Sequence, residues 1–390
     1  MKIFHTADWH LGKLVQGVYM TEEQAYVLQQ FLDAVEEEKP DLVIIAGDLY
    51  DRAIPPTEAV ELLNQVLEKL ILHIKVPVVA IAGNHDSPDR LNFAVRLMEK
   101  NGLYLSGQLK YPIEPIQFED QYGPVEVYTI PYADPSIIRY ITGNEDIKSH
   151  DDAMRFLTTH IKERWNKQAR HVLVGHAFVT KNGEAEENTS ESERPLSIGG
   201  AEHVNAAYLQ EFDYVALGHL HQAHYVGGEH IRYSGSPLKY SISEEHHQKG
   251  FYIVELNEYG DAEVEKRLLQ PKRDMRRVIG TIAEIEKHTY NEDYVFVTLT
   301  DENPVLLPME RIRTVYPNAM HVDRKMTGAA SLADAAADVI SNTGKHQLKP
   351  LELFEAFYRE VKGEALSDEK KQMFAIIYSA LEKEEGEKQR

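Results

Sequence analysis

The chain has no cysteine in 390 residues. That absence removes disulfide staples, thiolate metal sites and a cysteine nucleophile at one stroke. It also lacks any run of about 18 apolar residues, the length a membrane-spanning helix needs. Its opening, MKIFHTADWH, carries one lysine and no extended apolar segment of the kind a secretion signal uses. Positive charge is scarce: 42 Lys and Arg face 63 Asp and Glu, for a net charge of -21. A surface coated in basic side chains for nucleic acid is therefore excluded. Nucleic acid itself is not, because bound cations or a partner can supply the positive field. The expectation is a cytoplasmic protein with no membrane span.

What is present is a hydrophobic fraction of 43%, enough for a real core, in a chain too long for one ordinary domain. Up to about residue 275, strand-like apolar runs alternate with helical patterns. Strands are expected at 2–6, 42–46, 76–82, 125–130, 171–175, 214–218, 231–234 and 250–256. Helices are expected at 21–38, 57–74 and 151–168, the first with Thr21 as N-cap and Gln24 at the capping-box position. Such alternation implies a layered α/β domain. The stretch PKRDMRR, residues 271–277, reads as a connector. Apolar segments at 278–285, 294–300 and 311–316 then suggest a small α+β unit spanning 276–325. Residues 326–349 read as a linker. Two amphipathic helices fill 350–390, one presenting Leu351, Phe354, Phe357, Tyr358 and Val361, the other Met373, Phe374, Ile376, Ile377 and Leu381.

The strands share a grammar at their ends. The first runs into Ala7-Asp8-Trp9-His10, the second into Ala46-Gly47-Asp48, the third into Ala82-Gly83-Asn84-His85-Asp86. Later ones run into Gly175-His176 and Gly218-His219-Leu220-His221. In an open α/β sheet, ligands bind at the carboxyl ends of strands, and small residues there let the backbone turn and leave room for an ion. A set of imidazole, carboxylate and amide donors without sulfur suits a first-row divalent cation such as manganese or iron better than structural zinc. It is large enough for two ions sharing a bridging carboxylate, which in phosphate-ester hydrolases sit roughly 3.5–4 Å apart. A single Asp or His past a strand is usually a turn residue; five in a row are not. His5, His73, His224, His246 and His247 fall outside the grammar and read as structural or exposed. Trp9 reads as a wall beside the site rather than a base-stacking platform.

The motifs DWH, GDLYD, GNHD, GH and GHLH, in that order, resemble the calcineurin-like metallophosphoesterase superfamily. The longer phrases HTADWHLGK, AGDLYDRAIPP, AGNHDSPDRL, ALGHLHQ and YSGSPLKYSISE resemble its bacterial SbcD family of nuclease subunits. The resemblance implies a four-layer α/β/β/α sandwich with a small α+β capping domain and a C-terminal helical pair. It implies one metal on Asp8, His10, Asp48 and His221, and a second on Asp48, Asn84, His176 and His219. Manganese is the expected metal, with magnesium or iron as the other choices. His85 would contact the scissile phosphate and protonate the leaving oxygen. Asp86 is either an orienting carboxylate or a turn cap. Relatives from archaea and eukaryotes carry a His shortly after the bridging Asp, where this chain has Asp51 and Arg52.

The implied activity is exonucleolytic on double-stranded DNA and endonucleolytic on single-stranded or hairpin DNA, in repair and recombination. Candidate DNA contacts are Arg52, Arg90, Lys272 and Arg273, within an otherwise acidic chain. The implied partners are an SbcC-type coiled-coil ATPase, docked through the C-terminal helices, and a second copy of the chain in a homodimer. Two other readings stay open: a phosphoesterase acting on phosphoproteins or cyclic nucleotides, and a scaffold of the same fold without turnover.

Overall fold

In the strand Arg170–His176 the side chains alternate between two apolar environments, as a period-2 chain dictates. Val172 and Val174 join one hydrophobic cluster, and Leu173 joins another. The first cluster is the layer between two sheets. The second lies between one sheet and its covering helices. The computed structural model describes residues 1–183, 190, 191, 193, 203–324, 351, 354, 355, 358, 366–375, 377 and 378. The linker expected at 326–349 lies outside the described residues, as does much of the expected helical pair. The chain divides into two compact units, Met1–Arg276 and Arg277–Arg390.

The first unit holds two six-stranded sheets. One runs, in spatial order, Ala262–Leu268, Gly250–Leu256, Lys2–Thr6, Leu42–Ile45, Val78–Ile81 and Leu103–Ser106. Its last four strands are mutually parallel and its first two antiparallel. The other runs His224–Val226, Gly228–Tyr233, Tyr214–Gly218, Arg170–His176, Gly123–Ile130 and Ile116–Asp120, with a parallel centre and antiparallel edges. Ile3, Leu42, Ile44 and Val79 of one sheet meet Val125, Val127, Val172 and Ala216 of the other in a shared core. Outside the second sheet, Ala153, Met154, Leu157 and Ile161 of the helix His150–Lys162 pack on Tyr128, Leu173 and Val215. Outside the first, Phe31 of the helix Thr21–Glu38 lies 6.1 Å from Phe4 and 4.9 Å from Phe251, ring centre to ring centre. The architecture is the expected helix–sheet–sheet–helix stack.

Two local expectations need correction. Thr21 is the first helical residue rather than the N-cap, and the cap position falls on Met20 with no side-chain bond. Gln24 does not reach back to it. Its amide donates instead to the carbonyls of Trp9 and His10, at 3.0 and 2.8 Å, and its oxygen accepts from Gly12 N at 3.1 Å. A tertiary use of the side chain has displaced the local one. The helix begun at Thr57 is α-helical to Glu68 and then continues as a π-helical run, Lys69–Ile74.

A three-stranded sheet, all but the first two residues of it in the second unit, carries Met275–Gly280, Tyr294–Leu299 and His321–Arg324 in that order. The segment expected at 278–285 breaks at Gly280. Thr281 and Glu284 form a capping box there and start the short helix Ile282–Ile285. Val278, Ile285, Val295, Val297, Ile312 and Tyr316 form a separate small core. Further along, Phe354 stacks on Phe374 at 4.3 Å, while Met373 and Ile377 are exposed.

The two sheets approach tightly where their parallel strands end. A β-carbon on Gly218 would stand 1.9 Å from the carbonyl oxygen of Ala46 on the other sheet. Overpacking of a rim this tight costs about 1–3 kcal/mol or more. A Gly218→Ala variant is therefore expected to unfold at lower urea concentration than the parent, and an unchanged midpoint would show that the rim has slack.

Candidate metal centre

Each expected donor stands at the carboxyl end of a central strand, and the loops that follow these strands are tied together by main chain. Asp8 N donates to Gly47 O at 3.0 Å, His10 N to Asp48 O at 2.9 Å and Leu11 N to Leu49 O at 2.9 Å. The third loop is tied to the second by Asp86. Its carboxylate accepts from Leu49 N, Tyr50 N and Gly83 N at 3.1, 2.9 and 2.9 Å. Asp86 is thus a brace across two turns. The loops are also strained. Asp8, His10, Asp48 and His219, four of the seven expected ligands, have φ of 53°, 45°, 50° and 109°. Such conformations cost about 1–3 kcal/mol each in non-glycine residues and gather where function requires them. Gly47, at φ 95°, has no room for a side chain, since a β-carbon would meet the His176 ring at 2.2 Å.

Asp48 lies at the centre. Its Oδ2 is 3.5 Å from His10 Nε2 and 3.5 Å from His176 Nε2, and its Oδ1 accepts from His85 N at 2.9 Å. To one side His10 Nε2 meets His221 Nε2 at 3.0 Å. To the other, Asn84 Oδ1 is 3.0 Å from His176 Nε2 and 3.4 Å from His219 Nδ1. Asp8 accepts from His219 N at 2.9 Å. The donor atoms of Asp8, His10 and His221 fall within 4.8 Å of one another, as do those of Asp8, Asp48 and His176. All seven expected donors are thereby brought into one cluster.

The chemistry of these contacts fits cations. His176 Nδ1 faces the Ala46 carbonyl at 2.9 Å, and His221 Nδ1 faces the Glu244 carboxylate at 3.1 Å. Carbonyl and carboxylate only accept, so each Nδ1 carries a proton. Loss of the second proton, from Nε2, would leave a lone pair facing the cluster, the arrangement that a metal-binding histidine uses. His176 Nε2 consequently confronts another acceptor, Asn84 Oδ1. The buried His10 Nδ1 has no hydrogen-bond partner, and Asp51 Oδ1 is 3.8 Å away.

Protons fill part of this role when cations do not. Burial lifts the Asp8 carboxyl to about 7. Burial works against charge on His176, but the Asp48 carboxylate carries it up to about 9. Burial likewise opposes ionisation of Asp48, yet His176 and His10 hold it well below the ordinary carboxylate range. Asp86 is raised to about 7, by burial first and then by the charge of Asp48.

His85 is half-buried beside the cluster, its ring 4.7 Å from that of His10, and its Nδ1 faces the Asp51 carbonyl at 2.7 Å. The Asp51 carboxylate is held by Lys13 at 2.8 Å. Arg52, Arg90 and Lys272 are exposed, whereas Arg273 forms an ion pair with the buried Glu23. Trp9 is fully buried and donates to Thr6 Oγ1 at 2.9 Å, and His5 is buried against Tyr214. Sequence reasoning missed Gln24, Tyr240 and Glu244. Tyr240 packs its ring edge-on 5.7 Å from His10, and its hydroxyl donates to Trp9 O at 2.5 Å. The phrase YSGSPLKYSISE holds both Tyr240 and Glu244, but no periodicity marked either one.

A calcineurin-like phosphoesterase model matches residues 1–223. Over 393 residues the chain is 32% identical to the SbcD subunit of the SbcCD nuclease from Staphylococcus epidermidis, covering 99% of this chain and 100% of that one. The SbcD subunit of the Staphylococcus saprophyticus SbcCD nuclease is 34% identical over 400 residues, covering 100% of both. The chain belongs to the SbcD family of calcineurin-like phosphoesterases. A second family model, described as the type 5 capsule protein repressor C-terminal domain, matches residues 271–362. Among solved structures, a dimetal phosphatase from Danio rerio aligns with 69% of this chain and 96% of its own, at 13% identity and a TM-score of 0.41.

Metal uptake at a phosphoesterase centre of this kind must displace protons. Below about 7 Asp8 holds one, and below about 9 His176 holds another. A cation held by both would displace these protons, so Mn²⁺ affinity is expected to rise with pH from 6 to 8, more steeply below about 7, where both groups hold a proton, than above it. Calorimetry in buffers of different ionisation enthalpy counts those protons. A flat affinity across that range would show that binding displaces no proton from Asp8 or His176.

Proposed function

We propose that this chain is the nuclease subunit of an SbcCD-type complex, a two-metal phosphodiesterase that degrades double-stranded DNA from ends and cuts single-stranded or hairpin DNA internally. The observation that carries it is the cluster of donors around Asp48, in a chain that aligns from end to end with the SbcD subunits of SbcCD nucleases. One cation would be held by Asp8, His10, Asp48 and His221 and the other by Asp48, Asn84, His176 and His219, with manganese the preferred metal. When bound, the pair neutralises an anionic phosphodiester and makes hydroxide accessible near neutral pH.

The chain's own residues do the rest. Asp48 stands between the two halves of the donor set and keeps them in register. His85 Nδ1 is engaged by the Asp51 carbonyl, so Nε2 is the atom that gives its proton to the leaving oxygen. Asp51 fixes that ring through its carbonyl, and Arg52, exposed immediately after it, takes a phosphate oxygen. Arg90 and Lys272 contact flanking phosphates, and Arg273 joins them only by leaving Glu23. The unit at 276–325 acts as the cap that admits DNA. The C-terminal helices lay their apolar faces on the coiled coil of an SbcC-type ATPase. The working assembly contains two copies of the chain and operates in the cytoplasm on DNA under repair and recombination.

Cleavage of double-stranded, single-stranded and hairpin DNA with Mn²⁺, beside p-nitrophenyl phosphate esters, tests the reading. DNA is expected to be cut. Ester hydrolysis with intact DNA would point to a smaller substrate, and no turnover with metal bound would point to a scaffold. A His85→Ala variant is expected to bind Mn²⁺ as the parent does and to lose about 10²–10⁴-fold in DNA cleavage. Cleavage at the parental rate would remove His85 from the proton-transfer role.

A further inference from the structure

Behind the metal-facing side of His221 lies a buried ionic pair that neither metal binding nor phosphate contact accounts for. Glu244 closes the short helical turn Ile242–Glu244 and is fully buried. Its two oxygens have different partners: Oε1 lies 3.1 Å from His221 Nδ1, and Oε2 lies 2.5 Å from the ammonium of Lys249. Lys249 is buried as well and also donates to His221 O at 2.9 Å and to Ser236 Oγ at 2.8 Å. A second carboxylate, that of Glu193, accepts from His221 N at 2.7 Å. His221 is thus gripped at its ring, its amide and its carbonyl. Lys249 immediately precedes the strand Gly250–Leu256, which pairs with the strand leading to Asp8. The ammonium is anchored to the sheet that supplies the first ligands.

A buried ion pair is costly, because both charges lose water, and an apolar pair of similar volume is often as stable or more so. Stability therefore does not explain why this pair stands directly behind a ligand. Orientation does. A carboxylate on Nδ1 fixes the tautomer, aims Nε2 toward the donors of Asp8 and His10, and raises the basicity of the ring toward a cation.

We propose that Glu244 is a positioning residue for His221, with Lys249 holding its carboxylate in place. The proposal rests on His221 being a ligand. Titration of the full chain with Mn²⁺ by calorimetry tests it. In Glu244→Gln, one of the two Mn²⁺ sites is expected to weaken about 10–100-fold while the other keeps its affinity. That variant leaves Lys249 without its counter-charge, so the double variant Glu244→Gln, Lys249→Gln, which buries no unpaired charge, is measured beside it. It is expected to fold with the same weakened site. Two folded variants that titrate like the parent, with only the melting temperature lowered, would reduce the pair to a structural tie.

His221→Ala separates the two levels of the argument. If it leaves Mn²⁺ binding intact, the ligand assignment itself fails. If it weakens binding while the Glu244 variants do not, only the positioning role fails. A measurement on the unaltered chain needs no variant to fold: with Mg²⁺ bound, nitrogen-15 spectra of His221 are expected to place the proton on Nδ1. A proton on Nε2 would overturn the proposal.

Discussion

One buried carboxylate organises this molecule. Asp48 stands at the rim where the parallel strands of two sheets end, with His10 from one strand end and His176 from another at equal distance from the same oxygen. A lone carboxylate there would be untenable, because burial opposes its charge. It is tolerated because imidazoles and a backbone N–H converge on it. The close approach of the sheets follows from the same demand. Gly47, Gly83 and Gly218 stand where a side chain would collide with His176, with Asp48 or with the opposite main chain. Small residues before the donors let the donors meet.

Convergence carries a conformational cost that the surrounding contacts must offset. Four of the seven candidate ligands adopt backbone conformations that L-residues avoid. The supports are specific. Asp86 brings three N–H groups from two turns onto one carboxylate, Gln24 holds the carbonyls of Trp9 and His10, and Tyr240 closes on the same loop. Polar side chains used this way cannot serve locally: Gln24, at the expected capping-box position, is spent on the carbonyls of Trp9 and His10.

The charge balance takes on a different meaning beside this site. A net charge of -21 would repel DNA if it were spread evenly and unopposed. Any affinity for an anionic substrate therefore has to be local; Arg52, Arg90 and Lys272 are exposed basic groups that the proposed function draws on. Some of the basic residues near the site are already spent on carboxylates: Lys13 on Asp51, Lys239 on Asp274, Arg273 on Glu23.

Much of the fold was legible because central strands are apolar on both faces and amphipathic helices repeat at their own period. Edge strands such as Ile116–Asp120 and Ala262–Leu268 were not, since half their residues face solvent and their pattern blends into loops. The candidate donors stood out in the sequence for a related reason. A small residue followed by Asp, Asn or His at the end of an apolar run is a local pattern, written by neighbours in the chain. The residues that hold those donors follow no such pattern. Tyr240 reaches Trp9 across 231 positions, and Glu244 reaches His221 across 23. The sequence by itself therefore determined which elements form and which side chains end them. The tertiary structure alone decided which carboxylate sits between two imidazoles and what stands behind each ring, because contacts between distant segments exist only once the sheets have packed.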